Sequence, residues 1–267
     1  ELMSRGEYQK AAELVVKLSH DEGYGGKRWT DPYVPAFDLK VEMGASGEPK
    51  GYLRGVDFNT GVAAVRWEDE RGRFVRRLFI SRPDNVAALQ ILGPGKGSIN
   101  CTLRLDQTPG AWGVKEFKTS AEDDWLTYRT QFANRWSGSL QGCEGVSRVI
   151  VKNGSRKVSG GKLEIRDADE VVILTRVELT HDYSTSALEA LKQAVAGLRP
   201  DYEALLQRHA TVHGAVLNRV QLDLGGAAAD HALQDRRLLG ADYHQHVDLL
   251  FCDLPAAILP APGADDL

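Results

Sequence analysis

The chain has 267 residues, 42% hydrophobic and 26% charged, with a formal net charge of −4 at pH 7, an ordinary globular composition long enough for one large or two modest cores. The weak acidic balance excludes the basic footprint of a nucleic-acid binder, and no apolar run approaches the ~20 residues of a membrane-spanning helix. Cys101, Cys143 and Cys252 form no Cys-x-x-Cys pair, so they read as small core hydrophobes rather than a zinc site or a disulfide framework.

From Glu1 the chain follows a helical pattern rather than that of a secretory signal. Ser4 and Glu7 have the spacing of a capping box, and Ala11, Leu14, Val15 and Leu18 follow at helical intervals, predicting a helix over 7–18. Phe37, Leu39, Val41 and Met43 alternate with Asp38, Lys40 and Glu42, the period of a strand with one buried face. Residues 62–68 and 74–80 are rich in β-branched and aromatic side chains and flank a polar 69–73, which reads as a hairpin. On its return strand Phe74, Leu78 and Ile80 share one face, while Val75, Arg77 and Phe79 share the other. The cluster Arg71, Arg73, Arg76 and Arg77 reads as a solvated hairpin.

Further strands are expected at 86–92, 99–105, 125–132, 146–151, 162–165 and 171–179, punctuated by Gly93-Pro94-Gly95, Asn153-Gly154 and Gly160-Gly161. Many short strands without intervening helices favour an antiparallel sandwich over a parallel α/β sheet. The character changes at Ser184. Ser186 and Glu189 form a second capping box, and Leu188, Leu191, Val195 and Leu198 mark a helix that Pro200 should stop. Another helix is expected over 201–219. Its Leu205, Leu206, Val212, Val216 and Leu217 form an apolar stripe that the sandwich can cover only in part.

Several of these segments together resemble the N-terminal domain of glycoside hydrolase family 95, the α-L-fucosidase family. The resemblance is carried by Gly6, Tyr8 and Ala11; by Tyr33, Pro35, Asp38 and Leu39; by Tyr52, Asp57, Arg76 or Arg77, Phe79, Ser81, Pro83, Asp84 and Val86; by Gly142-Cys143-Glu144-Gly145-Val146; and by Asp201-Tyr202, His209 and Arg219 to Gly225. It implies a mostly β fold: an antiparallel, supersandwich-like β-sandwich with a leading helix over 1–180, then a helical linker over 181–226 toward a catalytic barrel that this chain lacks. Beyond Gly226 only fragments such as Asp235-Arg236-Arg237-Leu238 resemble the family pattern, nothing from Ala241 onward does, and residues 227–267 read as a disordered or truncated tail. The implied activity is inverting, cofactor-independent and metal-independent hydrolysis of α-L-fucosides or related α-L-galactosides. The glycan would be a partner of the barrel.

No catalytic residue is carried over, because the family's catalytic carboxylates belong to that barrel. Glycoside cleavage needs two suitably spaced carboxylates, and Glu122, Asp123, Asp124, Asp167, Asp169 and Glu170 read instead as turn formers in polar loops. His209 and His213 share a helix face, but Ala210 stands where a zinc-protease helix has Glu and no third ligand has suitable spacing. The glycine-rich run 93–98 lacks the phosphate-loop pattern. Aromatic rings can stack on sugars, and Trp29 and Trp112, flanked by polar residues or glycine, are the candidate substrate-binding residues. A free-standing carbohydrate-binding or interaction module is the alternative reading.

Overall fold

A computed structural model describes residues 1–22, 34–111, 113–133 and 140–219. The chain divides into two compact units, 1–35 and 36–267. In the first, a 3-10 turn over Met3–Arg5 precedes helix α1, Tyr8–Asp21. The expected capping box does not form: Glu7 is the N-cap with no side-chain cap bond, and the Ser4 hydroxyl donates to the Glu1 carbonyl at 2.8 Å. The 3-10 turn withdraws Ser4 from the helix start.

The second unit is mostly β. Its strands are β1 Asp38–Glu42, β2 Lys50–Asp57, β3 Val62–Asp69, β4 Gly72–Ser81, β5 Val86–Leu92, β6 Ile99–Asp106, β7 Val114–Glu122, β8 Trp125–Phe132, β9 Gly142–Lys152, β10 Ser155–Ser159, β11 Lys162–Ala168 and β12 Glu170–Thr180. They form two antiparallel sheets, a four-stranded one in the order β1-β6-β11-β10 and an eight-stranded one in the order β2-β3-β4-β5-β12-β9-β8-β7. The fold is thus the expected antiparallel sandwich. Helices α2, Leu188–Ala196, and α3, Tyr202–Leu217, follow it.

The strands missed by sequence pattern are β2, β7 and β10. All three are edge strands, and none of their side chains is buried, so none needs an alternating apolar face. Where the chain reverses, the expected glycine turns occur: Gly160 and Gly161 both take positive φ, +55° and +76°, between β10 and β11, the backbone of a two-residue hairpin turn.

The eight-stranded sheet buries both of its faces. One face packs on the smaller sheet through Val65, Trp67, Phe74, Leu78, Leu89, Ile91, Leu126, Tyr128, Val149, Val171 and Ile173, meeting Ile99, Leu103, Leu163 and Ile165 from the other layer. Each fully buried side chain of this size contributes roughly 1.5–3 kcal/mol. The opposite face packs Phe79, Val86, Ala88, Val146, Val172 and Leu174 against Leu191, Val195, Tyr202 and Leu205 of α2 and α3. Adjacent residues of one strand therefore serve different cores. Ile80 departs from the expectation for β4: it lies on the sandwich-facing side yet is 59% exposed, because the narrower sheet does not reach that end.

Close approaches are made at two glycines of β9. A Cβ at Gly142 would lie 2.2 Å from the Thr130 carbonyl oxygen, and one at Gly145 would lie 2.3 Å from the Phe37 ring. The second vacancy lets Phe37 reach Tyr128, with ring centres 5.1 Å apart.

Candidate functional site

Asp57, Arg77, Phe79, Ser81 and Asp84 of the sandwich and Asp201, Tyr202 and His209 of the helical segment fasten that segment to the outer face of the large sheet. At the start of α3 the Asp201 carboxylate accepts the Ala204 N–H at 3.1 Å, a side-chain N-cap. Pro200 precedes it and α2 has already ended at Ala196, which gives the break expected between the helices. The second capping box does not form as expected: Ala187 is the N-cap of α2, with no side-chain cap bond. Its N–H is instead taken by Glu144 of β9.

Three contacts hold α3. Arg77, outward-facing on β4, donates to Gln90 and to Glu203, and its guanidinium lies 4.7 Å from the centre of the Tyr202 ring. Ser81 and Asp84 close a tight turn, the Ser81 hydroxyl donating to Asp84 Oδ2 at 2.6 Å, while Asp84 Oδ1 accepts from Arg208 at 2.8 Å. His209 is 3% exposed and lies against Phe79, ring centres 5.2 Å apart; its Nδ1 accepts the Arg82 N–H at 3.4 Å. Burial, followed by the neighbouring His213, lowers the His209 pKa. The ring therefore sits neutral in its socket.

The turn between β2 and β3 joins the same contact. Asp57 accepts from the Asn59 N–H at 2.9 Å and the Thr60 hydroxyl at 2.6 Å, and the Thr60 bond is the main reason its carboxyl is held below the usual range. Phe58 follows, its carbonyl 2.8 Å from His213 Nε2. Both histidines thus contact the sheet and its turn. Beyond it Val212, Val216, Leu217 and Phe58 remain 41%, 44%, 38% and 63% exposed, so only the first half of the α3 stripe is covered by the sheet.

A second clamp holds the chain as it leaves the sandwich. Glu144 is 1% exposed and pairs with Arg129 of β8. Arg129 also donates to the carbonyls of Tyr183 and Thr185 at 2.6 and 2.8 Å and lies 4.0 Å above the Tyr183 ring. A buried carboxylate needs such partners. The sequence signal was a lone acid inside the otherwise small and apolar run Gly142 to Val146, and its role was missed.

Arg76, unlike Arg77, faces the sandwich interior. It is 3% exposed, stacks 5.1 Å from the Trp67 ring, and its Nε meets no acceptor. The solvated hairpin expected for the arginine cluster therefore describes Arg73, whose partner is the exposed Glu68, but not Arg76.

The acidic residues of the loops are engaged in structure. Asp123 and Asp167 take positive φ at turns, Asp124 pairs with Arg148 at 3.2 Å, and Asp169 accepts from the Gly97 N–H and the Asn153 amide at 2.7 and 2.9 Å. Glu170 accepts from Gln90. Burial pushes the Cys101 and Cys143 thiols up to about 12, which suits packing and not nucleophilic attack. Among the described residues no group of three or more His, Cys, Asp or Glu could hold a metal ion. Trp29 and Trp112 lie outside the described residues, as do Tyr33, Trp136 and the segment 220–267.

By class, this is a two-sheet antiparallel domain whose outer face carries a clamped helical segment. The family model described as glycosyl hydrolase family 65, N-terminal domain, matches residues 1–184, the leading helix and the whole sandwich. The chain belongs to that family and is an N-terminal β-domain of a glycoside hydrolase. A curated relative, alpha-L-fucosidase 2 of Arabidopsis thaliana, is 24% identical over 87% of this chain. The chain spans 30% of that relative's length. Among solved structures, one described as a kojibiose phosphorylase from the human microbiome is similar at a TM-score of 0.45 and 10% identity, covering 71% of this chain and 32% of that one. No helix among the described residues is long and apolar enough to cross a membrane.

Proposed function

We propose that this chain is the non-catalytic N-terminal part of a family 95 glycoside hydrolase that cleaves α-L-fucosides, or related α-L-galactosides, from glycans by inversion. The observation that carries the reading is the continuous similarity to an alpha-L-fucosidase across 87% of the chain. The bonding of the loop carboxylates supports a structural role, since each acid named above serves a turn or an ion pair. In this reading the sandwich spans 1–180, residues 181–226 link it to a catalytic barrel, and 227–267 lead away from the linker. The exposed half of α3, with Phe58 beside it, is the face that the barrel covers. Trp29 and Trp112 contact the glycan.

The test is to express the chain alone and together with whatever coding sequence follows it, and to assay both with chromogenic α-L-fucoside and α-galactoside. Turnover by the longer protein alone, with a preference for the fucoside, is expected. Activity of the 267-residue chain that is abolished by substituting one of its own acids overturns the non-catalytic assignment, and a longer protein active only on other glycosides overturns the fucoside assignment. Trp29→Ala and Trp112→Ala should raise the KM of the longer protein; unchanged kinetics in both removes them from the substrate site.

A further inference from the structure

An open depression of about 480 Å³ on the sandwich lies where β1 stops short. Strand register explains it. Glu42 pairs with Thr102 as the last rung between β1 and β6, yet β6 begins three residues earlier at Ile99, and on its other side Cys101 and Ile99 pair with Ile165 and Ala168 of β11. The β1-facing edge of β6 near Asn100 and Cys101 is therefore left as a notch. Its floor is Met43 and Cys101, and its walls carry Glu42, Arg71, Asn100, Thr102 and Arg166.

The polar groups of this notch are unbalanced toward donors. Arg71 is locked by Asp69 and by the Gly44 carbonyl at 2.6 Å, which makes it a rigid wall. The only acid of the lining, Glu42, is taken by Arg104 at 3.2 Å. The Asn100 carbonyl oxygen accepts the Asp167 N–H at 3.2 Å, leaving its amide N–H groups to donate. Arg166, 59% exposed, has its carboxylate neighbour Glu164 at 3.9 Å, too long for a good hydrogen bond. Behind the floor lies the buried Arg76, and both it and Arg166 act electrostatically on the Cys101 thiol.

None of the residues lining the notch is aromatic, so it offers no stacking platform for a neutral pyranose. Guanidinium donors instead favour a carboxylate, which they bind with charge-assisted hydrogen bonds. The volume falls in the range of small-ligand sites.

We propose that this notch is an accessory glycan site that takes a sugar unit bearing a carboxylate, of the uronic-acid type, with Arg166 and Asn100 as its principal donors. The proposal rests on membership in a glycoside hydrolase family for the ligand being a sugar, and is independent of the fucoside reading. The 267-residue chain is titrated with glucuronate and galacturonate, with glucose and galactose, and with acetate, at low salt and followed by amide chemical shifts or calorimetry. Millimolar binding of a uronate is expected, at least about tenfold tighter than its neutral parent and than acetate, which is about 1.4 kcal/mol. Arg166→Ala should lower it by a similar factor and Arg166→Lys by less, while Arg156→Ala on the exposed strand β10 leaves it unchanged. Equal binding of acid and neutral sugars, acetate as good as uronate, no binding of either uronate, or full retention in Arg166→Ala overturns the proposal. Because the readout is binding, uronate recognition by a protein whose longer form is inactive on fucosides sinks only the fucoside reading.

Discussion

The two faces of the eight-stranded sheet are built on different terms. The inner face meets another sheet, and apart from the buried Arg76 its contacts are mainly aliphatic and aromatic, with Phe74, Leu126, Tyr128, Ile91 and Ile173 fully buried. The outer face meets two helices, and beside Phe79, Val172 and Leu174 it carries the polar clamps Arg77–Glu203, Asp84–Arg208, Arg129–Glu144 and the His209 socket. Non-directional burial suffices where two sheets already define each other's register. A helix laid on a pleated surface can slide, and directional bonds at its ends fix where it sits.

Substitutions can break or sharpen this contrast. The largest effect is expected from Ile173→Ala, which empties a site in the inner core: a loss of about 4 kcal/mol by urea unfolding, within the range for buried aliphatic truncation. Its neighbour Leu174→Ala, on the outer face, should cost about 3 kcal/mol and should speed hydrogen exchange first in α2 and α3. Uniform exchange acceleration in both variants would merge the two cores into one cooperative unit.

Glu144→Ala removes the carboxylate shared by Arg129 and the start of α2, leaving a largely buried guanidinium and an orphan N–H; a loss of about 3 kcal/mol is expected. Glu144→Gln, which keeps an acceptor, should lose less. Equal stability of wild type and Glu144→Ala would show that the clamp orients without stabilising. Asp201→Ala, which removes the α3 N-cap, should cost about 1 kcal/mol, measured the same way.

The smallest effect is one of pH. The folded His209 pKa lies below the ordinary 6.5, so the unfolded chain binds the proton more readily. Its contribution is then fully present above that ordinary value, declines as the pH falls toward the depressed folded pKa, and is lost below it. Protonation would place a donor at Nδ1 against the Arg82 N–H. Beside the ring stand Arg82, Asp84, Arg208 and His213, with Asp57 across the turn. His209→Gln should flatten the stability profile as the pH falls below the ordinary imidazole value of 6.5, relative to wild type; an unchanged slope would assign the effect to another group.

Most strands were legible because burial wrote apolar residues into the chain, alternating in β6 and in near-continuous runs in β5 and β12, which are buried on both faces. Val86–Leu92 and Trp125–Phe132 appear with the expected limits, and α3 begins at the expected break after Pro200. The edge strands β2, β7 and β10 left no such imprint, since an edge needs only backbone partners. Both capping boxes were misplaced. A Ser-x-x-Glu spacing specifies a cap only if the backbone enters the helix there, and a 3-10 turn at Ser4 and the long-range acceptor Glu144 at Ala187 changed that entry.

The candidate site divides in the same way. That Asp57, Phe79, Ser81 and Asp84 belong to one motif and Asp201, Tyr202 and His209 to another was visible in the sequence; that the two motifs meet was not, because residues 57–84 and 201–213 are joined only by the folded sheet. Local physics, meaning apolar period, glycine turns and the Asp201 cap, is written in neighbouring residues, so the sequence by itself determined the strands with buried side chains, the sandwich class and the helix break. Which of two adjacent arginines, Arg76 or Arg77, is buried against Trp67 and which reaches a helix, and that β1 ends early enough to leave a notch at Asn100, were decided by strand pairing across the sheets. Those are properties of partners distant in the chain, and only the tertiary structure brings them together.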